Sequence, residues 1–264
     1  MSHRAHRVVR FIGALLCTAA LACSSSSDPA SPPEPEPEVD AGPPPTPVSC
    51  PDRVPSKVDP YVLRAFVFAS DRETTMAGAL VEVRSRTDDS TLVTATTDRD
   101  GQADLAIPSG GKLLDIYVRA TAPASRPDHV PTRVEIQGGQ IGLAVQLVVF
   151  STTALQARAA SAGVNWDPSK AVVQVGINRC NDGKAATPTI EAATIRVSPG
   201  SKTSYAFSGV LFDPKLRVTT VYGGGTDFNV TPGATTITTV KDGQGNTYVT
   251  KTEVGVNLFA LFQP

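Results

Sequence analysis

The stretch TDRDGQADLAIPSG, Thr97 to Gly110, decides the fold because the chain carries a counterpart to it. Aligned without gaps, it runs alongside TVYGGGTDFNVTPG, Thr220 to Gly233. Both read as a glycine turn, a short strand with apolar residues at alternate positions, and a Pro/Gly corner. A second pair corresponds too: GALVEV, Gly78 to Val83, echoes AATIRV, Ala192 to Val197. Leu80, Glu82 and Arg84 alternate with Val81 and Val83, which places one face inward and one toward water. Two tandem copies of one β fold is the economical reading.

The first copy offers seven short strands: residues 61–68, 79–86, 91–97, 102–107, 113–121, 130–136 and 141–150. The second offers eight, at 171–178, 193–198, 203–207, 216–222, 227–230, 235–241, 247–252 and 255–262. Close spacing with turn residues between, and no helical period, argues for all-β sandwiches. An initial strand, then G-A-x-V-x-V, then T-D-x-D-G-x-A-x-L-x-I-P-x-G resembles the carboxypeptidase-regulatory-like, or transthyretin-like (prealbumin), sandwich. Tyr61 to Phe150 carry the match. The second copy, from Val164 and Trp166 through Cys180 to Gly233, is a looser one: Thr187 to Glu191 are inserted before its second strand, and Gly223 to Gly225 replace the Asp-Gly turn. The resemblance implies a seven-stranded Greek-key sandwich with an accessory, non-catalytic role. Fold alone does not supply function. The expected architecture is thus two tandem Greek-key β-sandwiches, over residues 60–152 and 163–264.

What precedes them is not globular. Residues 1–22 combine Arg4, Arg7 and Arg10 with an apolar run from Phe11 to Ala22, the form of a secretory leader too short to span a bilayer permanently. Ala20-Leu21-Ala22-Cys23 resembles the bacterial lipobox, which implies cleavage before Cys23 and attachment of a diacylglycerol to its thiol, with an acylated (palmitate-type) amino terminus. Bulky Leu16 makes Cys17 a poor alternative. Three acyl chains exceed the single chain that binds membranes only reversibly. Ser24 resembles the signal that sorts lipoproteins to the outer membrane. Residues 23–59 form a tether: nine prolines fall between Ser24 and Ser49, with one large aliphatic residue before Val48. Such a segment buries too little surface to offset its ordering entropy and favours extended polyproline II.

Of the four cysteines, Cys17 leaves with the leader and Cys23 takes the lipid. Cys50 and Cys180 remain, and in an oxidising compartment the expectation is a disulfide between them. The 24 Lys and Arg lose three with the leader, leaving 21 against 25 Asp and Glu, a formal charge of −4. No basic stripe stands out, so nucleic acid is not an expected partner.

Catalytic constellations are missing from the sequence. His129 is the mature chain's one histidine, set in a polar loop between Pro127 and Pro131 and read as solvated. A Ser–His–Asp arrangement would have to use it, and no Gly-x-Ser-x-Gly elbow occurs. Zinc calls for His and Cys clusters that the sequence lacks, and neither metal nor cofactor is expected. Asp98, Asp100 and Asp104 superficially resemble a calcium loop, but the downstream bidentate glutamate is missing and a tight turn with Gly101 at positive φ explains them. For a glycan-binding platform the candidate ligand-facing aromatics are Trp166, Tyr205 and Tyr222, although a core or junction position is the favoured reading for Trp166. The functional expectation is a membrane-anchored, non-enzymatic envelope lipoprotein. Its two modules bind an envelope protein or glycan or act as a spacer, and the alternative is an accessory or cryptic hydrolase subunit acting on envelope glycans or peptides.

Overall fold

The computed structural model describes residues 59–112, 114–136, 144–179, 191–200, 203–208, 211–213, 215–220 and 224–263. The leader, Cys23, Cys50, Cys180 and Tyr222 lie outside them, as does the tether up to residue 58.

The first copy contains β1 (Tyr61–Ala69), β2 (Leu80–Ser85), β3 (Thr91–Thr96), β4 (Gln102–Ile107), β5 (Ile116–Thr121), β6 (Thr132–Ile136) and β7 (Ala144–Val149). A helix, α1 (Thr152–Ser161), follows. The second copy contains β8 (Ala171–Arg179), β9 (Thr194–Ser198), β10 (Thr203–Ser208), β11 (Leu211–Asp213), β12 (Gly224–Val230), β13 (Gly233–Lys241), β14 (Gln244–Thr252) and β15 (Gly255–Gln263). Among the described residues the fold is all-β apart from α1. The helix was not expected, although Ala154, Ala157, Ala159 and Ala160 favour it and the Ser151 hydroxyl caps it by accepting from the Ala154 N–H at 3.2 Å.

In the first sandwich β4–β1–β7 faces the strands β3–β2–β5–β6, and in the second β14–β13–β9 faces β11–β10–β12–β8–β15. Inward residues at every second position build each core. Leu63, Val67, Val81, Val83, Leu105, Val118 and Leu147 fill the first. Val173, Val175, Ile177, Ile195, Ile237 and Phe259 fill the second. A fully buried aliphatic side chain of this kind contributes roughly 1.5–3 kcal/mol.

The repeat is real in three dimensions. β1 pairs antiparallel with β4 and parallel with β7, as β8 does with β12 and β15. A threonine latch recurs as well. The Gly78 N–H donates to the Thr97 carbonyl at 3.0 Å, the Thr97 N–H to Ala79 at 2.9 Å, and the Ala79 N–H to Thr97 Oγ1 at 2.9 Å. Ala192, Ala193 and Thr219 repeat all three bonds at 2.8, 2.8 and 3.0 Å. The counterpart of Thr97 is therefore Thr219, one residue before the Thr220 that an ungapped alignment selects. This latch also corrects the strand expected over 216–222: residues 216–220 lie outside any strand, because Thr219 bonds across to the start of β9 where the chain crosses between sheets. Leu211–Asp213 forms the unexpected edge strand instead.

Two departures separate the copies. β3 pairs with β2, whereas its counterpart β10 pairs with β12 in the opposite sheet. More consequentially, β15 also pairs in parallel with β6, Val256 to Thr132, Asn257 to Arg133 and Leu258 to Val134. One nine-stranded sheet therefore runs through both sandwiches in the order β11–β10–β12–β8–β15–β6–β5–β2–β3. Gly255 makes the join. Its φ of +115° is closed to other residues, and a Cβ there would lie 2.4 Å from the Pro131 carbonyl oxygen.

Candidate functional site

The joint between the sandwiches is where charged chemistry concentrates. Alternation along β6 turns Arg133 and Glu135 to the face opposite the first core, and along β5 it does the same for Tyr117 and Arg119. Such a face normally meets water. Here Arg133 and Glu135 are 5% and 4% exposed, because Tyr248 of β14 and Glu253, just after it, cover them.

The partners interlock. Arg133 Nε donates to Glu135 Oε1 at 2.7 Å, its second terminal nitrogen also meets that oxygen, and its first reaches Glu253 Oε1 at 3.2 Å. Its guanidinium lies 3.6 Å from the centre of the Tyr117 ring. Arg86 bridges Glu135 and Asp115, at 3.0 Å each, and stacks 4.9 Å from the Tyr248 ring. The Tyr117 hydroxyl donates to Asp89 and, at 3.2 Å, to Glu253. Asn257 clasps the Glu253 backbone at 2.8 and 3.1 Å, which orients that carboxylate toward the first sandwich.

Burial sets the electrostatics. It pushes the Glu135 carboxyl above the usual range, against the pull of Arg133 and Arg86. The Tyr117 hydroxyl holds Asp89 below that range, with Arg84 adding to the effect. Tyr117 and Tyr248 are both pushed up, chiefly by burial. Arginine suits this place because its planar fork meets several oxygens at once. Buried pairs of this kind cost desolvation and lock geometry rather than adding much net stability.

A third apolar cluster lies beside the network, where α1 packs against the outer face of the second sandwich. Leu155 and Ala159 of α1 meet Phe150, Trp166, Val172, Phe212, Phe228 and Val256. Of the candidate ligand-facing aromatics, Trp166 takes the junction position favoured for it, and Tyr205 is corrected to an interior one. Trp166 is 5% exposed in this junction cluster, and Tyr205 is 4% exposed in the second core, where its hydroxyl accepts from the Ile195 N–H at 2.8 Å. Neither ring offers a platform, since each fills a gap between packed layers.

The other residues singled out in the sequence fall into place. Asp98 accepts from the Asp100 and Gln102 N–H groups at 2.9 Å each, closing a turn in which Gly101 adopts φ +72° and a Cβ would strike the Val67 carbonyl oxygen at 2.7 Å. Asp104 is taken by Arg64 at 2.7 Å. Among the described residues, no group of three His, Cys, Asp or Glu side chains is placed to hold a metal. His129 is not the solvated loop residue expected. Its side chain is only 10% exposed, bonded to Asp128 at 2.9 Å, and its backbone bridges to Ser151 ahead of α1. The joint residues Arg86, Tyr117, Arg133, Glu135, Tyr248 and Glu253 were missed because charged residues on alternate strand positions look like an ordinary wet face.

No family model matches this chain, and no curated protein matches it. Among solved structures it is similar to the Bacillus anthracis TIE protein, at 12% identity and TM-score 0.25 over 76% of this chain. The chain spans 33% of that protein's length. It is also similar to the shaft pilin SpaA of Lactobacillus rhamnosus GG, at 11% identity and TM-score 0.25, covering 77% of this chain and 98% of that one. A streptococcal ancillary pilin follows at 12% identity and TM-score 0.23, covering 78% and 64%.

Proposed function

We propose that the protein is a membrane-anchored, non-enzymatic component of the cell envelope whose two sandwiches act together as one stiff spacer. The observation that carries this reading is the sheet that continues from β6 into β15, sealed on one side by the Arg133–Glu135–Glu253 network. Independent binding modules need only a flexible link, whereas a spacer needs a joint that resists bending. This joint has ladder hydrogen bonds, buried ion pairs and an apolar cluster around α1. The carboxylates at its centre bond to arginines or tyrosines, an arrangement that orders structure and leaves no free acid–base pair there.

The sequence supplies the attachment: a leader, Cys23 at the expected cleavage site, and a proline-rich tether. A lipid on Cys23 would hold the spacer at a membrane, with the outer membrane or cell surface the destination suggested by Ser24. Fractionation of producing cells tests this. Wild type is expected in the membrane fraction, released by detergent, with Cys23→Ala released without it. Identical distribution and leader processing of the two proteins would overturn the reading.

A further inference from the structure

The outer face of β8, β12 and β15 carries a cavity of about 350 Å³ beyond the end of the junction cluster, at the small end of ligand-site volumes. Arg158 of α1 and Arg72 from the turn after β1 stand over it, and Phe212 and Leu258 wall it. Three observations on this cavity point to a ligand.

The first is charge. Arg158 Nε is buried without a hydrogen-bond partner, and neither arginine has an ion-pair partner among the described residues. Burial and the neighbouring Arg72 charge bring the Arg158 guanidinium down to about 10. The second is the contrast with the joint, where each buried arginine reaches a carboxylate. The Phe150 and Phe212 rings, 4.9 and 5.6 Å from the half-buried Arg158 guanidinium, offset only part of the cost of its partial desolvation without a carboxylate. The third is the floor. Gly176 lies in mid-strand, and a Cβ built there would meet nothing nearer than the Phe259 carbonyl oxygen at 3.9 Å. Packing does not demand glycine at this position, and a bare strand backbone is what a closely approaching ligand requires.

We propose that this cavity binds a small organic carboxylate, with its anion between Arg158 and Arg72 and its apolar body against Phe212 and Leu258. A guanidinium fork matches a planar carboxylate, and the aromatic and aliphatic walls suit a hydrocarbon body better than they suit a fully hydrated inorganic anion.

Calorimetric titration of the full-length chain at low salt with benzoate, benzamide and inorganic phosphate tests this. Benzoate is expected to bind with a Kd on the order of 1 mM, so that titration to about 20 mM approaches saturation. The neutral benzamide is expected to bind at least roughly tenfold more weakly, and Arg158→Gln to weaken benzoate by a similar factor. Gly176→Val should abolish binding while leaving the melting temperature close to wild type, since the position has room for a side chain. Equal binding of benzoate and benzamide, tighter binding of phosphate, unchanged binding in folded Gly176→Val, or no saturable binding would each overturn the assignment.

Discussion

Glu135 shows how a single side chain records its surroundings. In a solvated strand it would ionise like any glutamate. Under Tyr248 and between Arg133 and Arg86 its carboxyl holds a proton more tightly than in the unfolded chain. The folded state therefore binds extra proton from about pH 4, the ordinary carboxylate value, up to the raised value. Stability from this group falls as pH rises through that window. Asp89, held low by Tyr117, acts in the opposite sense: its contribution is present above the ordinary range and fades as pH falls through its folded value. Comparing denaturant unfolding of wild type and Glu135→Gln across mildly acidic pH isolates the first effect. Wild-type stability should decline relative to the variant as pH rises from about 4, and a pH-independent difference would contradict the burial argument.

At the scale of elements, α1 and β6 are short pieces whose importance comes from what they touch. The Ser151 cap and the alanines make α1 a competent helix, but ten residues form only a marginal helix alone. Packing of Leu155 and Ala159 against Trp166 and Val256 holds it in place. Leu155→Ala is expected to cost about 2–5 kcal/mol of stability and to shift the emission of Trp166, the chain's one tryptophan, to longer wavelength. Gln156→Ala, on the exposed side of the same helix, should change stability by no more than about 0.5 kcal/mol. Equal effects of the two substitutions would show that α1 is not anchored by this cluster.

For the molecule as a whole, the pairing of β15 with β6 turns two domain-sized sandwiches into neighbours that share a sheet. Shared ladder bonds and the buried network couple their unfolding, so denaturation of wild type should proceed in a single transition. Gly255→Val places a side chain against the Pro131 carbonyl oxygen at a φ that valine does not adopt. It should separate unfolding into two transitions, one of them followed by Trp166 fluorescence. A single transition of unchanged width in this variant would mean that the sandwiches are held together mainly by the apolar cluster around α1.

The all-β class, most strand positions, the tight turn at Asp98–Gly101 and the echo between Gly78–Ala79 and Ala192–Ala193 are legible in consecutive residues alone. These are local: alternation, turn residues and glycine at positive φ are written in consecutive residues. The expectation of an anchor at Cys23 is legible there too, since it depends on chemistry at one chain end rather than on folding. Only the tertiary structure decided that Thr219 rather than Thr220 answers Thr97, that β10 leaves the sheet its counterpart keeps, and that Tyr205 is interior. It alone decided that the polar faces of β5 and β6 become a buried joint, and that Arg158 and Arg72 stand together without a carboxylate partner among the described residues. The reason is physical. Alternation tells which residues share a face, but whether that face meets water or another sheet depends on strands more than a hundred residues away.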